Sequence, residues 1–194
     1  MTAQAGELLV FKGNIYSMNC EPFSQFVQKN NLKLYFIATN SALWRGYFGE
    51  WEITDKKLYL TKISGNGKIR NQEKFRSGRL ILRKKMKNGV ITPQENGHLL
   101  KILKEDCLED IELSLKSLFH TEDKVFADWF SGRLVCPYGK MIKYIHLGYV
   151  SVYESELHLE ILNGELVEFK TVSNKLGLKL IKRLINFITG PRID

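Results

Sequence analysis

A histidine, two carboxylates and several tyrosines are the residues of this sequence best suited to chemistry. They occur in Tyr144-Ile145-His146-Leu147-Gly148-Tyr149, which precedes Tyr153-Glu154 and follows Asp128-Trp129. An imidazole that titrates near neutrality, set against a carboxylate, is the usual apparatus of general acid–base catalysis. Along a strand His146 shares a face with Glu154, but four steps of alternation hold the two far apart. Nothing in the spacing forces Asp128, His146 and Glu154 together, and a hydrogen-bonded structural histidine is the simpler reading. These three residues are the candidate catalytic set of a small enzyme, the alternative to the binding module described below.

A second carboxylate pair comes from internal similarity. Glu52 and Glu154 occupy matching places in two related segments, and two close carboxylates would split in pKa and serve as acid and base. Carboxylates at hairpin ends are more often solvated. His98, His120, His146 and His158 are not spaced with cysteine or another histidine as metal ligands, so neither a metal nor a cofactor is expected. The chain has no phosphate-binding glycine loop, no G-x-S-x-G and no H-E-x-x-H. Cys20, Cys107 and Cys136 are odd in number, widely spaced and without a C-x-x-C, which fits small buried thiols in a reducing, cytoplasmic setting.

Charge is the loudest signal. The formal net charge is +8. The window from Lys62 to Lys104 holds twelve basic residues against Glu73 and Glu95, a net +10, and Glu105 to Asp128 follows at −6. Arg76, Arg79, Arg83, Lys84, Lys85 and Lys87 are the candidate binding residues for an anionic macromolecule, either an acidic protein surface or a nucleic acid, with Phe75 available for stacking. A solvated surface that serves solubility alone is the bland alternative. Trp44-Arg45 and Trp129 are candidates for a binding face, although aromatic residues in a β-rich chain usually fill the core.

The elements that must position these residues show a repeated pattern. Gly46-Tyr47 and Trp51-Glu52 match Gly148-Tyr149 and Tyr153-Glu154. Both copies continue alike, as Leu58-x-Leu60-x-x-Ile63-Ser64-Gly65 and Leu157-x-Leu159-x-x-Leu162-Asn163-Gly164. Phe11-x-Gly13-x-Ile15 matches Phe130-x-Gly132-x-Leu134. Strand alternation puts Tyr47, Gly49, Trp51 and Ile53 on one face, and Tyr149, Ser151 and Tyr153 on another. Thr54–Lys57 reads as a turn, Ser155-Glu156 as its tighter counterpart, and Ser64-Gly65 and Asn163-Gly164 as the closing turns of each unit. Pro137-Tyr138-Gly139-Lys140 is a further turn signal.

A short helix is expected across 21–28, with Pro22 at its start, and another across 109–119 from the spacing of Ile111, Leu115 and Leu118. Arg79-Leu80-Ile81-Leu82-Arg83 reads as a strand, and Lys87-Asn88-Gly89 as the turn of a basic hairpin. From Asn174 to Thr189 an amphipathic helix is expected, ended by Gly190-Pro191, with its lysines in water and its apolar side on the core. Peripheral membrane contact through that helix is the lesser possibility. No apolar run is long enough for a membrane span.

The sequence therefore predicts an α+β, β-rich single domain over 1–194. Two related antiparallel β units, about 7–65 and 126–166, form a sandwich or partly open barrel. A basic segment, 66–104, lies between them, and a helix over 174–189 covers one face. The expected function is a non-catalytic binding module that holds an anionic partner through the basic middle segment.

Overall fold

The computed structural model describes residues 2–174. Its elements in chain order are β1 (Glu7–Phe11), β2 (Asn14–Met18), α1 (Pro22–Lys29), β3 (Leu34–Ile37), β4 (Tyr47–Thr54) and β5 (Lys57–Arg70). Then come α2 (Gln72–Lys87), α3 (Pro93–Asp106), β6 (Leu108–Leu113), α4 (Leu115–Phe119), β7 (Val125–Phe126), β8 (Gly132–Lys143), β9 (Val152–Leu162) and β10 (Glu165–Ser173). The β-rich expectation holds. The helix expected over 174–189 lies outside the described residues, apart from Asn174 at its start.

All ten strands join one mixed sheet, whose main path runs β2-β1-β4-β5-β10-β9-β8. Its two end strands come back together, so the sheet nearly closes into a barrel. At that seam the Asn19 amide donates to the Val135 carbonyl at 2.8 Å, and Tyr16 meets Tyr138 edge-on. The sheet is not purely antiparallel, because β1 runs parallel to β4, with Leu9 beside Trp51 and Phe11 beside Ile53.

Alternation works as expected on β4, where Tyr47, Gly49, Trp51 and Ile53 are buried and their neighbours are not. Leu9, Leu58, Leu60, Leu134, Leu159 and Ile161 fill the core with them. At one end α1 seats Phe23 and Phe26 against Phe119 and Trp129. Pro22 starts α1, where a missing amide hydrogen costs nothing.

Several local expectations are corrected. Ser64-Gly65 does not end a unit, because β5 runs on to Arg70. Gly65, at φ 149°, marks the point where β5 leaves β4 and takes β3 on one side and β6 on the other. A Cβ there would stand 2.5 Å from the Gly46 carbonyl oxygen, so only glycine fits.

Ser155 and Glu156 form no turn but lie within the continuous β9, and the hairpin falls instead at Asn163-Gly164. Tyr149 and Ser151 precede β9, so Tyr149, Ser151 and Tyr153 do not share a strand face. Pro137–Lys140 is a bulged stretch of β8. Residues 108–113 are strand β6, and only Leu115–Phe119 is helical.

The largest correction concerns the basic segment. Arg79–Arg83 is not a strand but the middle of α2, and Asn88-Gly89 turns between two helices. Arg79-Leu80-Ile81-Leu82-Arg83 is a short apolar run that suits either period, and the caps decide. The Asn71 side chain accepts from the Lys74 amide, and Thr92 and Glu95 form a capping box that starts α3 with Pro93 in its first turn. The result is a helical hairpin inserted between β5 and β6, whose feet meet where Arg70 pairs with Leu108.

Candidate functional site

Neither α2 nor α3 contains a buried residue. The two helices hold each other at Gly78, where an added Cβ would stand 2.5 Å from Leu103 Cδ1, so glycine permits the close crossing. Seven of the sixteen residues of α2 are basic, and Glu73 is its lone acid. At 3.6 residues per turn, Arg76, Arg79, Arg83 and Lys87 fall within an arc of about 80° on one face. Lys104 of α3, about 200° around its helix from Ile102, joins that face. Lys84 points outward beside Leu80, and Lys85 turns to the opposite flank with Lys74 and Ile81.

All six candidate binding residues are exposed, as are Leu80 at 66% and Ile81 at 57%. Phe75 does not stack freely, because the Arg70 guanidinium lies over its ring at 5.0 Å and also donates to the Tyr35 hydroxyl at 2.8 Å, which anchors the base of α2.

The candidate catalytic residues stand on three separate elements. Asp128 is exposed in the β7–β8 connection. His146 is exposed in the β8–β9 loop, where its Nδ1 bonds the Tyr144 hydroxyl at 2.8 Å. Glu154 lies half-buried on β9, and its Oε2 accepts from the Lys140 amide beside the Gly139 bulge. None of the three lines the clefts at the barrel seam or on the hairpin. Glu52 pairs with Lys124 at 3.0 Å, and hydrogen bonds from Thr54 and Lys124 hold its carboxyl below the usual range. Trp129 is a core residue whose Nε1 donates to the Pro22 carbonyl, and Trp44 is half-exposed.

A polar cluster at the seam escaped sequence reasoning. Glu7 is fully buried, with its Oε2 accepting from Trp51 Nε1 and its Oε1 3.2 Å from Arg45 Nε. The Arg45 contact is ionic rather than an aligned hydrogen bond, since neither atom has a hydrogen-bond partner. Arg45 Nη1 donates to the Ala5 carbonyl and the Tyr149 hydroxyl, both at 2.7 Å, and Tyr149 donates in turn to Glu21 Oε1 at 3.1 Å. This chain leads from the core to an open cleft of about 410 Å³ that is lined by Glu21, Cys20, Arg133 and Tyr149.

Burial pushes the Glu7 carboxyl up to about 7, against the opposing pull of Trp51 and Arg45. Burial also raises the Tyr149 hydroxyl and the Cys20 and Cys136 thiols, which keeps those thiols protonated and poorly nucleophilic. One signal for Glu7 was present in the sequence, because it shares strand parity with Leu9 and Phe11 on the inward face of β1.

Among the described residues no group of three His, Cys, Asp or Glu side chains gathers as metal ligands, and no helix is long and apolar enough to cross a membrane. The chain matches no protein family, no curated protein and no solved structure. The architecture itself defines it, as a mixed β-sheet nearly closed into a barrel that carries a basic helical hairpin.

Proposed function

We propose that this protein is a non-catalytic binding module whose helical hairpin holds an anionic macromolecule. One observation carries the reading. A helix with seven basic residues contains no fully buried residue and contributes none to the barrel's core cluster. Four of the cations, Arg76, Arg79, Arg83 and Lys87, form one row about 16 Å long at a rise of 1.5 Å per residue. Three of the four are arginines, whose planar guanidinium pairs with phosphate or carboxylate through two parallel hydrogen bonds, so the row suits a nucleic acid or an acidic protein surface. Each phosphate neutralised releases a condensed counterion, so affinity rests on charge and falls with salt.

The test is binding of labelled RNA and duplex DNA across a salt series, with poly-glutamate alongside. The partner variant carries Arg76, Arg79, Arg83 and Lys87 changed to Glu. The expected result is a steep salt slope that flattens by about 3 to 4 in the variant. Poly-glutamate bound as tightly as RNA would move the partner to an acidic protein surface. Absence of binding to every polyanion near physiological salt would end the reading.

A further inference from the structure

The hairpin has a second face, and it is apolar. On the flank opposite the arginine row, α2 and α3 leave a groove of about 240 Å³ lined by Gly78, Ile81, Leu82, Leu99, Ile102 and Leu103. Leu99 also lines an adjoining depression with Ile91 and His98, so the apolar track continues toward the tip of the hairpin. From Gln94 to Asp106 it follows α3 for about 18 Å, the length of more than three helical turns. Ile81 and Ile102 flank the groove and are 57% and 39% exposed. Gly78 lets the helices approach closely and gives the groove its floor.

We infer that this groove is the docking site for an amphipathic helix of a partner protein, with an acidic flank facing α2. The hairpin is two-thirds of a three-helix bundle, and a third helix would bury the apolar row that two helices leave in water.

The rim fixes the occupant's charge and orientation. Lys74 and Lys85 bracket Ile81 on the α2 side, seven residues before it and four after, and both are exposed. Asp106 and Glu95 stand on the α3 side. A helix with Asp or Glu along the α2 flank of its apolar stripe, and Lys or Arg along the other, is matched on both rims.

Other occupants fit less well. A nucleic acid gains nothing from Ile81 and Ile102, and its phosphates are served by the opposite face. A second copy paired α2 to α2 would oppose lysine to lysine, and one paired α2 to α3 is distinguished by the oligomeric state in the test below. Residues 175–189 carry Lys175, Lys179, Lys182 and Arg183 with no acid, so they lack the acidic flank that Lys74 and Lys85 would meet.

The inference stands apart from the polyanion reading, because different residues carry it. The test uses the full chain and two fluorescent peptides of identical composition. One is an 18-residue helix with leucines at i, i+3, i+4 and i+7 spacing and glutamates along one flank. The other is its scrambled sequence. Anisotropy should show binding of the amphipathic peptide at least tenfold tighter than the scramble. Ile81→Glu and Ile102→Glu should each weaken it at least tenfold, and neither residue is buried, so the fold should hold by circular dichroism. The arginine-row variant should keep peptide binding, and the two isoleucine variants should keep RNA binding.

Equal binding of both peptides would overturn the groove and leave only charge. Absence of peptide binding, with RNA binding intact, would overturn this inference alone. Binding that appears only after residues 175–194 are removed would mean that the chain's own tail fills the groove. A dimer dissolved by Ile81→Glu would assign it to a second copy.

Discussion

Glu7 shows what a single buried carboxylate does to the pH response of the whole fold. In the unfolded chain its carboxyl titrates near 4.5, and in the folded protein burial raises it to about 7. The folded state therefore keeps a proton that the unfolded state releases. Between these values stability falls as pH rises, because the native form must either stay protonated or carry a poorly solvated charge. Thermal melts from pH 4.5 to 7.5 should show this loss, on the order of 3 kcal/mol, and Glu7→Gln should flatten the curve. Glu7→Ala should instead cost about 3–5 kcal/mol, because it opens a cavity at a fully buried position and leaves Trp51 Nε1 without its acceptor.

Gly49 guards the same cluster. A Cβ there would meet Glu7 Oε2 at 2.4 Å and Trp51 Nε1 at 2.7 Å. Gly49→Ala should therefore destabilise by about 1–3 kcal/mol in a denaturant titration, although it adds one methyl group. The sequence exposed part of this arrangement. Strand alternation set Trp51 on one face with Tyr47, Gly49 and Ile53, and the same parity at Glu7 went unused; Arg45 and Tyr149 arrive from loops 38 and 142 residues beyond Glu7, and no local pattern announces such a meeting.

At the scale of elements, the hairpin and the barrel should melt separately. The barrel strands share one core, whereas among the described residues α2 and α3 touch mainly each other and contain no fully buried residue. Amides of α2 and α3 should exchange with deuterium well before those of β4, β5 and β9. Thr92→Ala, which breaks the capping box, should lower hairpin stability by about 1 kcal/mol and leave the barrel melt unchanged.

Elements with strong local signals were legible in advance: α1 from Pro22, β4 from its alternation, and the turn at Asn163-Gly164. The hairpin was misread as strands because five residues around Leu80–Leu82 carried the decision. The signals that favoured helix lay at its ends, in Asn71 and in Thr92-Pro93-x-Glu95. The Ser155-Glu156 turn failed for a related reason. It was inferred from likeness to Thr54–Lys57, but it lacks residues that tolerate positive φ, whereas Asp55 and Lys56 adopt φ of 51° and 60°.

For the whole molecule, the feet of the hairpin make it removable. The Asn71 amide donates to the Cys107 carbonyl at 2.8 Å, directly beyond the last rung of the β5–β6 ladder. Replacing Gln72–Asp106 by Asn-Gly should convert the insertion into an ordinary two-residue β-turn. The shortened chain should keep its melting temperature within a few degrees and lose polyanion and peptide binding together. Unfolding of that variant, seen by circular dichroism, would show that the hairpin supports the barrel rather than riding on it.

β5 has a consequence for how the chain reaches this structure. Over fourteen residues it pairs with β3, β4, β6, β7 and β10, whose partners range from Leu34 to Glu165. Only β4 joins it through a tight local turn. Every other pairing closes a longer loop, and the last waits for a residue more than a hundred positions away. Such non-local topology folds slowly. On a growing polypeptide, one edge of β5 stays open until β6, β7 and β10 have been synthesised, and an open strand edge is a site for pairing with the wrong chain. The hairpin's length of chain delays β6 further, so the insertion also lengthens the interval in which the central strand is unprotected.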